Sequence, residues 1–224
     1  MSVLCDPQLE RLLAVLHAKS DEQVPLIANF FAQRSADARL ANDAEVKTFR
    51  SDKLVALDRD KAEFCYQLCR ASNAHRVVEA GTSYGVSTLY LAAAVRDNVR
   101  RAGGTGVVTG TEHEPEKAMA ARRHFEQAGL SRFIDLREGD LRDTLKQISG
   151  PVDFMLVDIW IPMARPALEL VSPHLRSGAI VICDNTRARR AEYADYFAFL
   201  DNPSNGFRTM TLPFDGGLEF SVRC

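Results

Sequence analysis

Arg76-Val77-Val78-Glu79-Ala80-Gly81-Thr82-Ser83-Tyr84-Gly85-Val86-Ser87 is the stretch whose reading decides the fold. Its first five residues make a short β-branched strand, its glycines a turn, and Val86 opens a helix rich in Ala and Leu that runs to Val95. Outward from there the same alternation recurs. A second strand spans 106–112 and a proline-opened helix 115–128. A third strand spans 133–137 and leads into a short helix from Asp140. A fourth strand at 152–157 precedes a helix at 162–175, and a fifth at 178–183 precedes a helix at 187–200. The strands are continuous apolar runs, the pattern of a sheet covered on both faces. Strict strand–helix alternation predicts a doubly wound α/β fold with a parallel sheet. The end breaks the rule. Residues 207–212 and 218–222 flank Pro213-Phe214-Asp215-Gly216-Gly217 with no helix between them, which predicts an antiparallel C-terminal hairpin and a mostly parallel seven-stranded sheet.

Before this core, the first 50 residues read as extra N-terminal helices. Asp6-Pro7 is a cap followed by proline at the first helical position, and Leu9, Leu12, Leu13 and Leu16 repeat on one face. Ser20-Asp21-Glu22-Gln23 has the form of a capping box, with Ile27, Phe30 and Phe31 following on one face. A further helix runs from Asp58 to about Ser72, with Ala62, Cys65, Tyr66 and Cys69 as its apolar stripe. No repeat, linker or low-complexity tract interrupts the 224 residues, so a single domain is expected over 1–224. Residues 1–55 form a helical lid or dimerisation segment in this reading, and 56–224 the core.

Composition excludes several classes. With Lys+Arg 28 against Asp+Glu 30 and a net charge of -2, the chain has no field to recruit nucleic acid or an anionic membrane. Hydrophobic content of 46% at that small net charge excludes a disordered chain. No apolar run approaches the ~18 residues of a spanning helix, and Met1 to Asp6 lacks the pattern of a signal peptide. The cysteines (Cys5, Cys65, Cys69, Cys183 and Cys224) are odd in number and scattered, which fits reduced thiols and a cytoplasmic location.

In a doubly wound sheet, ligands sit beyond the carboxyl ends of the strands, near the point where strand order reverses. The residues there carry the chemistry. Gly81 and Gly85 bracket a turn that brings backbone close to a ligand at a helix start. This is not the G-x-G-x-x-G of a dinucleotide fold, so a smaller charged group such as an amino-acid moiety fits better than a pyrophosphate. An ordinary strand–helix turn is the alternative. Glu112 ends the second strand, where a carboxylate can accept from a ribose diol or simply face solvent. Asp140 either caps the next helix or reaches an adenine amine. Asp158 ends the fourth strand and Asp184-Asn185 the fifth, an oxygen-only set suited to Mg²⁺ or Ca²⁺. Read singly, Asp158 is also a helix cap and Asp184-Asn185 a turn. Trp160, the single tryptophan, either stacks on a base or packs the loop.

Taken together, the segment from Glu79 to Ser87, Glu112, Gly139-Asp140, Asp158-Ile159-Trp160 and Asp184-Asn185 resemble class I S-adenosylmethionine-dependent methyltransferases. The subgroup is the cation-dependent O-methyltransferases of the catechol and caffeoyl-CoA type. The resemblance covers about Ala56 to Cys224 and implies a Rossmann-like fold binding S-adenosylmethionine. It implies that Glu79, Gly81 and Ser87 surround the methionine part of the cofactor and that Glu112 holds the ribose. His113, Asp140, Leu141 and Trp160 would line the adenine pocket, and Leu57 would lie in a loop over the methionine end. Asp158, Asp184 and Asn185 would hold Mg²⁺ or another divalent cation, with Asp158 the catalytic residue and also near the cofactor.

Two positions depart from the catechol pattern. Ile161 stands where that subgroup has a lysine that helps deprotonate the attacking hydroxyl, and the acid that grips a second catechol oxygen has no counterpart near Thr209 to Thr211. The resulting expectation is an O-methyltransferase acting on a small hydroxylated, aromatic molecule with help from a divalent metal, and forming a homodimer. Metal-independent transfer and a cofactor-binding protein without catalysis are the alternatives. An NAD oxidoreductase is argued against by the missing glycine fingerprint.

Overall fold

The computed structural model describes residues 3–33 and 44–224; the parts of the expected N-terminal segment at 1–2 and 34–43 lie outside the described residues. Seven strands form one sheet: β1 (Arg76–Ala80), β2 (Val107–Glu112), β3 (Ile134–Glu138), β4 (Val152–Val157), β5 (Leu175–Asp184), β6 (Phe207–Leu212) and β7 (Leu218–Arg223). Their order is β3-β2-β1-β4-β5-β7-β6. β1 pairs in parallel with β2 on one side (Val78↔Thr109) and β4 on the other (Val78↔Met155). Strand order therefore reverses between β1 and β4, and a crevice opens there. β7 is antiparallel to both β5 and β6, which makes the hairpin that the sequence predicts.

Side-chain alternation along each strand feeds two cores. Val77, Phe154, Leu156 and Ile182 face one layer, built with α1 (Pro7–Asp21), α4 (Arg59–Ala71), α5 (Val86–Ala102) and α6 (Pro115–Gln127). Val78, Met155, Val157, Val181 and Cys183 face the other, with α8 (Ile161–Val171) and α9 (Ala194–Asp201). α7 (Leu141–Thr144) follows β3. No helix among the described residues is long and apolar enough to cross a membrane. All five cysteines are free.

The N-terminal helices divide in two. α1 buries Leu9, Leu12, Leu13 and Leu16 and is fastened to α5 of the same chain by Arg96 to Asp6 (2.6 Å) and His17 to Tyr90 (3.1 Å). α2 (Val24–Ala32) buries none of its residues; Phe30 stacks on Phe49 of α3 (Ala44–Arg50) at 3.8 Å between ring centroids.

Three expectations need correction. Ser20 and Gln23 do not form a capping box, because α1 runs through Ser20 and α2 begins after Gln23 with no side-chain cap. Instead the Ser20 hydroxyl accepts the Ala56 N–H (3.0 Å) and the Gln23 side-chain carbonyl accepts the Leu54 N–H (3.0 Å), anchoring the segment before α4. The helix expected over 187–200 covers only Ala194–Asp201. The N–H groups of Arg187 and Ala188 tie the stretch to the Gly216 carbonyl in the hairpin turn (2.9 and 2.8 Å), and the residues after them run through successive turns, with Glu192 N–H on the Arg189 carbonyl (2.9 Å), before α9 starts. The fifth strand begins at Leu175, earlier than the apolar run at 178–183, and the helix before it stops at Val171.

Candidate functional site at the carboxyl ends of the strands

Glu79 closes β1 wholly buried, and three hydroxyls converge on it. Ser87 donates at 2.6 Å, Thr82 at 3.0 Å, and Thr88 also donates. Burial raises its pKa above the ordinary glutamate value; the hydroxyl bonds oppose that rise without cancelling it. Glu79 thus holds the turn and the first turn of α5 in shape from beneath. The Ser87 hydroxyl proton is engaged by Glu79, so Ser87 retains only acceptor capacity.

Gly81 follows at a φ of +99°, and a Cβ on it would stand 2.0 Å from the Asp158 carbonyl oxygen. Only glycine lets the β1 turn and the end of β4 approach so closely. The Asp158 N–H closes that contact by donating to the Ala80 carbonyl at 3.0 Å.

Glu112 ends β2 and receives three backbone N–H groups: Ser83 at 2.6 Å on Oε2, and His113 and Glu114 at 2.8 Å on Oε1. It ties the β1 turn to the β2 turn. A carboxylate oxygen accepts about two hydrogen bonds, so Oε2 keeps room for a ligand hydroxyl. His113 is exposed beside it. Asp140 is the cap of α7, accepting the Arg142 N–H at 2.9 Å, and its carboxylate pairs with the Arg142 guanidinium. That pairing holds Asp140 down at a pKa of about 2. Leu141 is buried in the core behind it.

At the centre stand Asp158, Asp184 and Lys61. Among the described residues no side chain pairs with the Asp158 carboxyl. Burial, then the negative neighbours Asp184 and Glu79, push its pKa well above the ordinary aspartate value. Asp184 ends β5, 5% exposed, with Oδ1 against the Lys61 ammonium (2.8 Å) and Oδ2 accepting the Asn185 amide N–H (2.6 Å). Burial raises the Asp184 pKa and Lys61 partly offsets this. Lys61 comes from α4 and also meets Asp58 at 2.7 Å; its side chain is 2% exposed. Burial would lower its pKa, but the bonds to Asp184 and Asp58 win and raise it. Lys61 stays an ammonium ion.

The segment between α3 and α4 lies over this end of the sheet. The Tyr84 hydroxyl in the β1 turn donates to the Asp52 carbonyl (2.9 Å) and Lys117 of α6 donates to the Arg50 carbonyl (3.0 Å). The Arg50 guanidinium lies 5.0 Å from the Phe31 ring and 5.6 Å from the Trp160 ring. Leu57, part of this strap, is buried. Trp160, at the start of α8, is therefore covered from the N-terminal side.

The structure brings Gly81, Ser83, Glu112, Asp158 and Asp184 to one crevice through shared contacts. It places Glu79, Ser87 and Leu141 behind that crevice and directs Asn185 toward Asp184. Lys61, which the resemblance places only at the end of the loop 56–61 over the methionine part of the cofactor, is the residue to which sequence reasoning gave no role of its own. The signal was present: Lys61 precedes Cys65 by one helical turn on the apolar stripe, and Asp58 lies one turn before it. A lysine on a buried stripe needs a buried anion.

Strand order and polar strand ends define a doubly wound α/β domain whose ligand side is the carboxyl end of its sheet. Known proteins sharpen this. The profile described as "Methyltransferase domain" matches residues 78–186. A catechol O-methyltransferase of Mycobacterium tuberculosis is 30% identical over 132 residues, 58% of this chain and 57% of that protein. The chain spans little more than half the length of that relative. A proposed O-methyltransferase of Mycolicibacterium smegmatis is 31% identical over 168 residues, 66% of this chain and 75% of that protein. Among solved structures, an O-methyltransferase from Bacillus cereus in complex with SAH shares the fold, with a TM-score of 0.68 and 19% identity. It aligns over 96% of this chain and 100% of that one. The chain belongs to the O-methyltransferase family.

Proposed function

We propose that this chain transfers the methyl group of S-adenosylmethionine to a hydroxyl of a small aromatic molecule. The observation that carries the reading is the unpaired Asp158 carboxyl at the β1/β4 crevice, beside the Gly81 turn and Trp160. Family membership and the catechol relative support the reaction class and the aromatic acceptor.

The crevice fits the donor. Gly81 leaves space against β4, and Glu112 keeps an acceptor position for a ribose hydroxyl on Oε2. His113 is exposed beside Glu112, and Asp140 caps α7 after the neighbouring strand β3, which suits a base pocket. S-adenosylmethionine supplies a methyl carbon whose bond to sulfur breaks, with the electron pair going to sulfur, as an oxygen lone pair forms the new bond. The chain's task is placement and proton removal. Asp158 accepts the hydroxyl proton on a carboxylate oxygen, and its raised pKa makes it a stronger base than an ordinary aspartate. Trp160 and Ile161 supply an apolar wall, and the strap over residues 50–57 excludes water.

A divalent ion does not fit the three residues that resemblance assigns to it. Asp184 has one oxygen on the Lys61 ammonium and the other on the Asn185 amide, and Asn185 turns its N–H groups toward Asp184. No step is routed through such an ion.

The test is a thermal melt with S-adenosylhomocysteine at about 100 times its dissociation constant, where a specific ligand adds about 2.7 kcal/mol. Mass-spectrometric detection of methylated catechol or caffeate completes it. A melt that S-adenosylhomocysteine leaves unmoved rejects the reading.

A further inference from the structure

Lys61 sits against Asp184, one of the three residues that the resemblance assigns to a divalent ion. Its ammonium is 2.7 Å from Asp58, 2.8 Å from Asp184 and within electrostatic reach of Asp158. We propose that the Lys61 ammonium is the resident cation of this site, replacing a divalent ion, and that it holds the acceptor oxygen during transfer. This rests on the methyltransferase reading above.

Three observations converge. First, the position is built. Lys61 lies near the start of α4, whose Ala62, Cys65 and Cys69 are buried against the core, and its own side chain is 2% exposed. The ammonium is therefore fixed at the strand ends and is not a surface charge that swings in by chance. Second, its bonding is incomplete. An ammonium carries three N–H donors. Asp58 and Asp184 are its ion-pair partners among the described residues, yet the buried Asp184 Oδ1 lies in no hydrogen bond, so the ammonium is not saturated by them. A donor left over next to the unpaired Asp158 carboxyl is what an acceptor hydroxyl needs: Asp158 takes its proton while Lys61 stabilises the charge left on oxygen. Third, the charges disfavour a second cation. A divalent ion on Asp184 would share that carboxylate with a fixed ammonium, and like charges this close repel strongly in a site shielded from water.

The same residue answers the departure at Ile161. The lysine absent after the Asp158-Ile159-Trp160 motif has a counterpart, delivered from α4 rather than from the loop after β4. Its role differs, since its bonds to two carboxylates keep it protonated. It supplies charge, and Asp158 receives the proton.

The experiment uses the whole chain after dialysis against EDTA, with three readouts: the electron-paramagnetic signal of free Mn²⁺, calorimetric binding of S-adenosylhomocysteine, and methyl transfer to catechol. The unmodified chain should leave the Mn²⁺ signal unchanged and transfer equally well with EDTA or with Mg²⁺. Lys61→Ala vacates the space between the carboxylates. It should bind Mn²⁺, lose about a hundredfold of its transfer rate in EDTA, and regain activity with Mg²⁺. A lysine that only braces α4 against β5 would leave transfer in EDTA unchanged when removed from a chain that stays folded. Should Lys61→Ala fail to fold by circular dichroism, Lys61→Met keeps the packing of the stem and carries the same arm, and the unmodified chain decides on its own.

Mn²⁺ binding by the unmodified chain together with loss of transfer in EDTA overturns the proposal. So does a folded Lys61 variant that takes up no Mn²⁺. Failure of the methyltransferase reading looks different: S-adenosylhomocysteine does not bind and catechol stays unmethylated with or without metal, while the Mn²⁺ signal still reports on Lys61.

Discussion

Asp153 and Asp158 stand at opposite ends of β4, and the fold moves their acidities in opposite directions. At the amino end, Asp153 accepts the backbone N–H groups of His75 and Arg76, both at 2.8 Å, and the Arg176 guanidinium at 2.6 Å. Burial would raise its pKa; those bonds outweigh burial and lower it. At the carboxyl end, Asp158 has no side-chain partner among the described residues, and burial with its negative neighbours raises it. The same residue type is a fastener at one end and, in the proposed reaction, the base at the other. A satisfied carboxylate contributes stability, whereas an unsatisfied one is held there by the fold around it and is available for chemistry.

Asp158→Asn tests the reactive end and should give the largest effect. Removing a general base costs roughly a hundredfold or more in rate. Because the carboxyl loses no partner, the melting temperature should hold or rise. A variant that melts much earlier while keeping its rate would reverse the assignment and make Asp158 the fastener.

Asp153→Asn tests the other end. An amide keeps one acceptor oxygen where the carboxylate offers two, so one or more charge-assisted bonds are lost. The cost is about 2–3 kcal/mol, or roughly 5 °C or more in melting temperature for a chain of this size. Methyl transfer at a temperature where the variant is folded should be unchanged. Acid adds a second check. The folded pKa of Asp153 lies below the unfolded one, so its contribution is present above the unfolded value and is lost as pH falls through the folded one. The stability difference between the unmodified chain and Asp153→Asn should therefore shrink on acidification below about pH 4. A difference that stays constant would mean that Asp153 acts through shape alone.

The comparison also explains what was legible in the sequence. β1, β2 and β4 are continuous apolar runs, so periodicity and glycine punctuation locate them, and Glu112, Asp158 and Asp184 stand at strand ends once the strands are placed. What was not legible is what the third dimension pairs. Ser20 and Gln23 have local capping grammar, yet their oxygens serve Ala56 and Leu54, far along the chain. The arginine-rich stretch after Asn185 reads as helix, but Arg187 and Ala188 are tied to the hairpin turn at Gly216 and the residues after them run through turns. The three hydroxyls of Thr82, Ser87 and Thr88 that converge on Glu79 are likewise not written in any local pattern. Lys61 is the sharpest case. Its place on a buried stripe is written in the local pattern, but that its partner is Asp184 is decided by where α4 crosses the end of β5.

The smallest expected effect separates burial from location as the origin of these shifts. Asp140 lies at the carboxyl end like Asp158, yet its pKa is held at about 2. The reason is the Arg142 guanidinium and the N–H at the start of α7, with the carboxylate left open to water. If the end of the sheet set the sign, Asp140 and Asp158 would move together; if partners set it, removing Arg142 should release Asp140 alone. Arg142→Ala should raise the Asp140 pKa toward the ordinary aspartate value, read from carboxyl carbon shifts in an NMR titration. The melting temperature should not move measurably, because a solvent-facing ion pair adds little to stability. An Asp140 that stays depressed without Arg142 would assign the shift to the helix N–H groups. One that rises far past the ordinary value would show that the acid-rich strand ends act on every carboxylate near them, and the contrast drawn along β4 would then be one of position rather than of partners.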